Sequence, residues 1–451
     1  MKIQKQVPLT EGPILKSLTG LAVPIMISSF LGTLYNITDM AWIGLLGSKA
    51  VAAVGVGGMY VWLSQGLASL ARMGGQVHVA QCLGRGDKEQ AHRYAKTAVQ
   101  LSILLGLAFA AVSLLFTDPL VAFFKLEGAK TILDAKIYMR ITCGLILFSF
   151  LNLTLTGLYT AQGDSKTPFV ANFIGLLINL LLDPLLILGV GPFPRIEVAG
   201  AAVATVSAQF VVMLVMMVGV FRSKKEENVL KGIRLFEPFS KEELGNICKI
   251  GGPTAIQGMV YCMISMVLTR MVAAFGAEAI ATQRVGGQIE SVSWNTADGF
   301  AAALNAFVGQ NYGAKKMDRV QKGYRISFWT VAIWGALIML AFIIFPGPIA
   351  GVFFHEEKAM EIAISYLIII GFSEAFMCVE LMTVGALSGL GKTKLCSVIS
   401  ITATSMRIPL AMVLSRTSLG LDGIWWALTL TSVAKGIIFY LTFRYQMREK
   451  C

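Results

Sequence analysis

Acidic and amide side chains stand inside long apolar stretches of this sequence, where an ionisable group is costly and is therefore a candidate for function. Asp39 and Asp183 each lie well inside such a stretch. Asn179 comes four residues before Asp183, a spacing that places both on one face of a helix. Thr205 adds a hydroxyl one helical turn after Ala201. Carboxylate, amide and hydroxyl oxygens together indicate a site for a proton or for a hard cation such as Na⁺.

The two acids leave more than one interpretation open. If Asp39 and Asp183 converge, like-charge repulsion and burial both favour the protonated form of one carboxyl, which makes a proton site. The same cluster equally suits Na⁺, the one metal ion that we predict, with oxygen ligands from Asp39, Asn179, Asp183 and Thr205. Alternatively, the acids cap helix kinks, because Pro184 directly follows Asp183 and frees backbone amides nearby.

Pro24 stands about four helical turns before Asp39 in the same apolar stretch. A proline inside a helix removes one backbone hydrogen bond and creates a bending point. We hypothesise that protonation of Asp39 changes the shape of this helix at Pro24. A static kink explains the proline equally well at this stage.

Acids and aromatic residues in the apolar stretches also indicate a cavity that attracts organic cations. Glu290 and Asp298 are eight residues apart with Trp294 between them. Aromatic faces hold cations through their quadrupole, so the predicted lining also includes aromatic residues elsewhere in the chain, namely Tyr35, Tyr60, Tyr159 and Tyr261. Ordinary helix packing explains these aromatic residues as well. Most other charged residues of the second half are expected to form pairs between a basic and an acidic side chain.

The elements that must position these residues are membrane-spanning helices. The chain has 451 residues, of which 55% are hydrophobic and 14% are charged, whereas soluble domains carry about a quarter charged residues. A spanning helix needs about 20 apolar residues, and roughly twelve stretches qualify: 18–46, 51–71, 97–116, 137–160, 169–190, 198–221, 247–275, 280–308, 326–349, 362–390, 395–414 and 424–443. These stretches lack two-residue alternation, so we predict an all-α integral membrane protein and no strands.

The sequence repeats itself at a spacing of about 229 residues, a device known from transporters built of two similar bundles. Matching residues are Pro24 and Pro253, Gly57 and Gly286, and Gln81 and Gln310; further on, Gly157 and Gly385 match with the spacing shorter by one. Because each repeat holds six spans, the copies enter from the same side. We predict two parallel six-helix lobes related by a pseudo-two-fold axis along the membrane normal, with an N-lobe over 1–221, a cytoplasmic linker over 222–243 and a C-lobe over 244–451.

The distribution of basic residues predicts the orientation in the membrane. Most of the 38 Lys and Arg residues fall in loops on one side, so both termini are expected to be cytoplasmic, in a multi-pass protein of the bacterial inner membrane. The net charge of +12 then reflects topology and contact with anionic membrane lipid, and no nucleic-acid partner is expected. The seven scattered cysteines form no metal or disulfide framework. We expect a monomer. We expect no enzyme activity, and no cofactor other than bound Na⁺ or H⁺.

These residues resemble the multidrug and toxic compound extrusion (MATE) family over essentially the whole chain. The motifs that carry the resemblance are P-I-x(13)-D-x-x-x-I-G-x-x-G at 24–47, V-G-Q-N-Y-G-A at 308–314, and the glycine-containing turns at 162–168 and 388–394. The prokaryotic branch named for the DNA-damage-inducible protein is the most similar. The resemblance implies a cation site in the N-lobe with side chains from Asp39, Asn179, Asp183 and Thr205, a backbone contribution at Ala201 and a bending proline at Pro24.

The resemblance also implies the activity. We expect a secondary active antiporter, not an enzyme, that exports cationic amphipathic drugs or metabolites in exchange for H⁺ or Na⁺ by alternating access. Another bacterial branch of the family has an acid in span seven, near the place where Tyr261 stands here, which argues against a C-lobe sodium site of that type. The alternative is a flippase for lipid-linked oligosaccharide or another lipid in the same superfamily, for which we would expect further spans and a more cationic central cavity.

Overall fold

The structure, a computed structural model, describes residues 7–189, 194–223, 228–235, 237–238, 240–354 and 356–448. These ranges contain helices and no strand, which confirms the predicted all-α fold. The helices are α1 (Ile14–Gly44), α2 (Ser48–Arg85), α3 (Lys88–Leu115), α4 (Thr117–Ala122), α5 (Ala129–Gly144), α6 (Leu147–Ala161), α7 (Lys166–Ile187), α8 (Glu197–Arg222), α9 (Lys241–Ala273), α10 (Ala277–Gly313), α11 (Met317–Ile344), α12 (Pro346–Gly351), α13 (Glu357–Gly371), α14 (Glu374–Gly389), α15 (Thr393–Ser405), α16 (Arg407–Leu414) and α17 (Leu421–Arg448).

The number of spans agrees with the sequence. Nine segments of the described chain are long and apolar enough to cross a membrane, with α15 and α16 forming one of them. Two pairs of bent helices, α5 with α6 and α13 with α14, bring the number to 11. The remaining predicted span, 280–308, coincides with α10, whose 37 residues exceed the length that a bilayer requires. The protein is therefore a multi-pass membrane protein.

Two predicted spans are bent in the structure. The stretch 137–160 breaks between α5 and α6 with an angle of 42°, and the stretch 362–390 breaks between α13 and α14 with an angle of 50°. Hydropathy alone did not reveal these bends, because it reports the mean apolar character of a stretch and not the geometry of its helix. The two bends occupy equivalent places in the two repeats.

The chain forms two compact units. Unit 1 comprises residues 1–7 and 27–258, and unit 2 comprises residues 8–26 and 259–451. The boundaries therefore fall inside α1 and inside α9. The predicted division into 1–221, 222–243 and 244–451 remains a prediction, and residues 224–227, 236 and 239 of that linker lie outside the described residues.

Each unit packs around its own apolar core. In unit 1 a cluster next to the predicted cation site includes Ile43 of α1, Tyr138 of α5, Ile187 of α7 and Ala201 of α8. In unit 2 a large cluster surrounds Trp425, which is fully buried. Burial of apolar side chains on one face of each helix fixes which residues face the interior, and the polar residues described next lie on those interior faces.

Candidate cation site

The acid of α1 is buried in unit 1. Asp39 is 8% exposed, and its Oδ1 atom has no hydrogen-bond partner in the described part of the chain. Tyr35 lies one helical turn earlier, and its phenol is close to the Thr205 hydroxyl of α8 and within electrostatic range of Asp39 and Asp183. Neither the Tyr35 nor the Thr205 hydroxyl makes a hydrogen bond with a described residue. Four side chains from three helices thus meet around one small volume.

The acid of α7 lies beside an amide. Asp183 and Asn179 are both completely buried, and the Asn179 Nδ2 donates a hydrogen bond of 3.2 Å to the Asp183 Oδ1. The Asp183 Oδ2 and the Asn179 Oδ1 have no partner among the described residues. Neither Asp183 oxygen accepts from a described backbone amide, so this carboxyl does not cap a backbone N–H next to Pro184. Asp183 and Asp39 lie within electrostatic range of each other.

The cluster around Asp39 and Asp183 contains oxygens without hydrogen-bond donors, and no described basic residue lies near its acids. Five oxygen atoms lack a hydrogen-bond partner among the residues that the structure describes, one each from Tyr35, Asp39, Asn179, Asp183 and Thr205. Within the described part of the chain, no basic residue is among the electrostatic neighbours of either acid. A buried carboxylate without a donor or a counter-charge is strongly disfavoured. The arrangement therefore favours an added proton or a small cation with several oxygen ligands.

Tyr138 of α5 completes the surroundings of the cluster, and the sequence did not single it out. Its phenol is within electrostatic range of both Asp39 and Asp183. Its ring lies against α2 at Gly57, where a Cβ atom would overlap the ring. The signal that could have located Tyr138 is the repeated glycine pair of α2 and α10, because Tyr366 of α13 lies against Gly286 in the same way.

Pro24 lies in the interior of α1, which continues on both sides of it. The part of α1 that contains Pro24 belongs to unit 2, and the part that contains Asp39 belongs to unit 1. The boundary between the units crosses the helix directly after Met26, two residues beyond the proline. The predicted bending point and the change of unit therefore coincide in the chain.

The aromatic residues predicted for a cavity in the first half have different surroundings. The Tyr60 hydroxyl donates to the Leu120 carbonyl oxygen at 3.0 Å. Tyr159 lies in the hydrophobic core, is 2% exposed and donates to the Met216 carbonyl oxygen at 2.8 Å. Tyr159 therefore packs in the core of unit 1, and its place in a substrate cavity stays a prediction. Tyr35 is the member of this group that lies at the acid cluster.

Unit 2 contains a second pair of acids, one half-buried and one buried. Glu290 of α10 accepts a hydrogen bond from the Tyr366 hydroxyl and lies within electrostatic range of Arg407 and Glu374. Glu374 of α14 is completely buried, and neither of its carboxyl oxygens has a partner among the described residues. The Arg407 guanidinium is itself held by hydrogen bonds of 3.0 Å to Thr431 and 2.9 Å to Ser432. The sequence identified Glu290 but not its relation to Glu374.

The other residues predicted around Glu290 are more exposed. Tyr261 is 45% exposed and Trp294 is 43% exposed, while Asp298 is half-buried on α10. Glu380 and Lys435 form the expected kind of structural pair, with 2.8 Å between the Lys435 Nζ and a Glu380 carboxylate oxygen and both side chains buried. Of the residues predicted for unit 2, Glu290 lies within electrostatic range of a second acid, Glu374.

Comparisons with known proteins agree with this architecture. The profile of the MatE family matches residues 24–185 and 253–413, so it finds the same repeat that the sequence shows. A probable multidrug resistance protein NorM of Thermotoga maritima is 29% identical, with 98% of this chain and 95% of that protein covered. A probable multidrug resistance protein YoeA of Bacillus subtilis is 26% identical, with 96% and 94% covered. A solved structure of a MOP superfamily transporter from Pyrococcus furiosus superimposes with a TM-score of 0.88 at 25% identity and 99% coverage of both chains.

Proposed function

The chain belongs to the MatE family, and from this membership and the buried acids of unit 1 we propose that it is a multidrug efflux antiporter. It exports cationic amphipathic compounds in exchange for H⁺ or Na⁺ by alternating access. The protein is not an enzyme, in keeping with its family. The single observation that carries the coupling proposal is the set of five unpartnered buried oxygens around Asp39 and Asp183, with no basic neighbour in the described chain.

Each residue of the cluster has a defined part in this proposal. Asp39 and Asp183 supply the negative charge that attracts the exchanged cation, and Asn179 orients Asp183 through its amide. Thr205 and Asn179 supply neutral oxygens, and Ala201 contributes from the backbone of α8. If the ion is H⁺, one carboxyl binds it, because two adjacent buried acids disfavour a double negative charge. If the ion is Na⁺, the same oxygens replace part of its hydration shell.

Occupation of the cluster has to change the conformation of the protein if it is to drive transport. A ligand shifts a conformational equilibrium only by the difference between its affinities for the two states. We propose that Pro24 lets α1 bend, so that Asp39 moves between a position near Asp183 and a position away from it. The cation then binds tightly in the first state and weakly in the second.

The proposed substrate follows from the names of the relatives and from the acids and aromatic residues of unit 2. Two relatives are named as probable multidrug resistance proteins. Tyr261 and Trp294 are exposed aromatic side chains, and Glu290 and Asp298 supply negative charge on the helix that contains Trp294. Aromatic faces and carboxylates together favour organic cations. We place the protein in a bacterial inner membrane with both termini in the cytoplasm, from the distribution of its basic residues.

The experiment that tests this function uses everted membrane vesicles loaded separately with a pure pH gradient and a pure sodium gradient. We expect ethidium transport under one of the two gradients and no transport without a gradient. Asp39→Asn removes the charge with little change in volume and should abolish gradient-driven transport. Asp118→Asn is the matched control, because Asp118 lies in the same unit and its side chain is 68% exposed. Transport by Asp39→Asn at the rate of the wild type contradicts the proposal.

A further inference from the structure

A cavity of about 760 Å³ lies between the beginning of α11 and the end of α17, entirely within unit 2. It is separate from both acid pairs, since none of the acids described above lines it. Its volume falls in the range of small-molecule sites, about 300–1,000 Å³. The transport proposal leaves this cavity without a role.

Positive charge surrounds the cavity. Lys322 and Arg325 of α11 and Arg444 and Arg448 of α17 line it, and all four are exposed. Among the described residues of the lining, Asp318 is the single acid. None of the ion pairs among the described residues includes any of these four basic side chains. Four cations at one opening that form no ion pair with a described residue create a site for a ligand with negative charge.

The inner wall of the cavity is aromatic and rigid. Tyr324 and Phe443 are buried and stack with 3.6 Å between ring centroids. The Tyr324 hydroxyl is held at 2.9 Å from the Thr383 hydroxyl, and Phe328 packs on Tyr440 at 5.1 Å. The wall therefore keeps its shape without a ligand. An aromatic wall of this kind receives hydrocarbon and does not solvate a free inorganic ion.

The basic and aromatic side chains of the cavity follow the order of the layers in a bilayer, with the basic residues toward water and the aromatic residues toward the hydrocarbon. Lys322 precedes Trp329 by seven residues on α11, which is a rise of about 10 Å toward the apolar part of the helix. Trp329 is 60% exposed and lies in the cavity lining. Tryptophan is enriched at the level of the lipid headgroups, and basic residues lie outside it, toward water. A molecule with an anionic head and an apolar tail matches this sequence of groups.

We propose that this cavity binds one anionic phospholipid, with its phosphate between the Arg325, Arg444, Lys322 and Arg448 side chains and its first acyl segments against Phe328 and Trp329. Charge complementarity and the aromatic wall argue for a phospholipid rather than a free phosphate. Each basic residue near a membrane surface contributes attraction to anionic lipid, and a cavity with four of them concentrates that attraction at one place. This inference does not depend on the identity of the transported compound.

The experiment measures lipid binding to the purified full-length protein in zwitterionic detergent micelles by native mass spectrometry. Phosphatidylglycerol and phosphatidylcholine of identical chains are titrated separately, and glycerol phosphate serves as a headgroup without chains. We expect one phosphatidylglycerol to bind with an affinity at least tenfold higher than that of phosphatidylcholine. Binding of glycerol phosphate at the same concentration would overturn the proposal, because the site would then recognise a free phosphate ester.

Variants test the location of the lipid. Arg325→Gln combined with Arg444→Gln should weaken phosphatidylglycerol binding about 30-fold, from the attraction expected of two basic residues. Lys322→Gln combined with Arg448→Gln is a second pair at the same cavity and should have a similar effect. Lys392→Gln combined with Lys394→Gln is the matched control, because both lysines are exposed in unit 2 and neither lines the cavity. An equal loss of binding in the control pair contradicts the assignment of the site.

Discussion

The two units of this protein each bring two acids together, but they do so at different places in the repeated fold. Unit 1 uses Asp39 on α1 and Asp183 on α7, and unit 2 uses Glu290 on α10 and Glu374 on α14. The repeat spacing of about 228 to 229 residues places Leu268 and Ala411 where unit 1 has its acids, and both belong to the apolar core of unit 2. The two repeats therefore share the arrangement of their helices, but their acidic residues stand at different positions.

The reverse comparison gives the same result. The positions in unit 1 that correspond to Glu290 and Glu374 are Val61 and Ile146, and both pack in one apolar cluster. Asn179, the amide that binds Asp183, corresponds to Arg407, which lies within electrostatic range of Glu290. Unit 2 thus has a permanently charged basic residue near its acids. In the described part of unit 1, no basic residue lies near Asp39 or Asp183. The difference explains why unit 1 is the better candidate for an exchangeable cation.

The largest effect that we expect comes from Asp183→Asn. The substitution leaves Asp39 alone with neutral ligands, so gradient-driven ethidium transport in everted vesicles should fall at least 100-fold, to the level of vesicles without the protein. Thermal stability should be retained, because a buried neutral amide costs less than an unpaired buried carboxylate. Transport that persists in Asp183→Asn would contradict the assignment of the exchanged cation to unit 1.

The internal ion pair of unit 2 provides the second test. Lys435→Met leaves the Glu380 carboxylate buried without its partner, and breaking such a pair costs about 3–5 kcal/mol of unfolding free energy. The loss should be visible in thermal unfolding in detergent, and Glu380→Gln in the same chain should restore much of it. Lys130→Met is the control in unit 1, because its ion pair with Glu197 is exposed and its removal should cause no measurable change. Equal losses in the two variants would show that the buried ion pair contributes no more to the unfolding free energy than the exposed one.

A matched pair of glycines tests the feature that the units share. Gly57→Ala and Gly286→Ala each introduce a Cβ that overlaps a tyrosine ring, of Tyr138 and Tyr366 respectively. Each should lower the unfolding free energy by about 1–3 kcal/mol through overpacking. Chemical denaturation of the two variants measures this directly. A large loss in one and none in the other would mean that the two tyrosines do not have equivalent packing.

The smallest effect that we expect comes from substitution of the two prolines that match in the repeat, Pro24 and Pro253. Pro24→Ala should lower the rate of transport a few-fold while binding of ethidium at equilibrium stays unchanged, because the substitution restores a backbone hydrogen bond and stiffens α1. Pro253→Ala is the equivalent change in α9 and should leave the rate closer to that of the wild type, since no acid follows it at the position of Asp39. Initial rates in vesicles with equal amounts of protein measure the difference.

The sequence predicted the spans because hydropathy reports directly on the membrane, and the repeat supplied the division into two similar sets of helices. Asp39, Asn179 and Asp183 stood out because charged and amide groups are rare inside apolar stretches. The contacts of Tyr138 and the proximity of Glu374 to Glu290 were not predicted, because they depend on how separate helices approach one another. The core packing of Tyr159 was not predicted for the same reason, since its sequence surroundings do not distinguish a core residue from a cavity wall.

The most direct test of the central claim compares Asp39→Asn with Glu374→Gln in the same everted-vesicle preparation, under the gradient that drives the wild type. Both substitutions replace a buried acid by its amide and differ only in the unit that they change. We predict that Asp39→Asn abolishes ethidium transport and that Glu374→Gln retains at least half of the initial rate. Transport retained in Asp39→Asn and lost in Glu374→Gln would assign the exchanged cation to unit 2 and contradict this account.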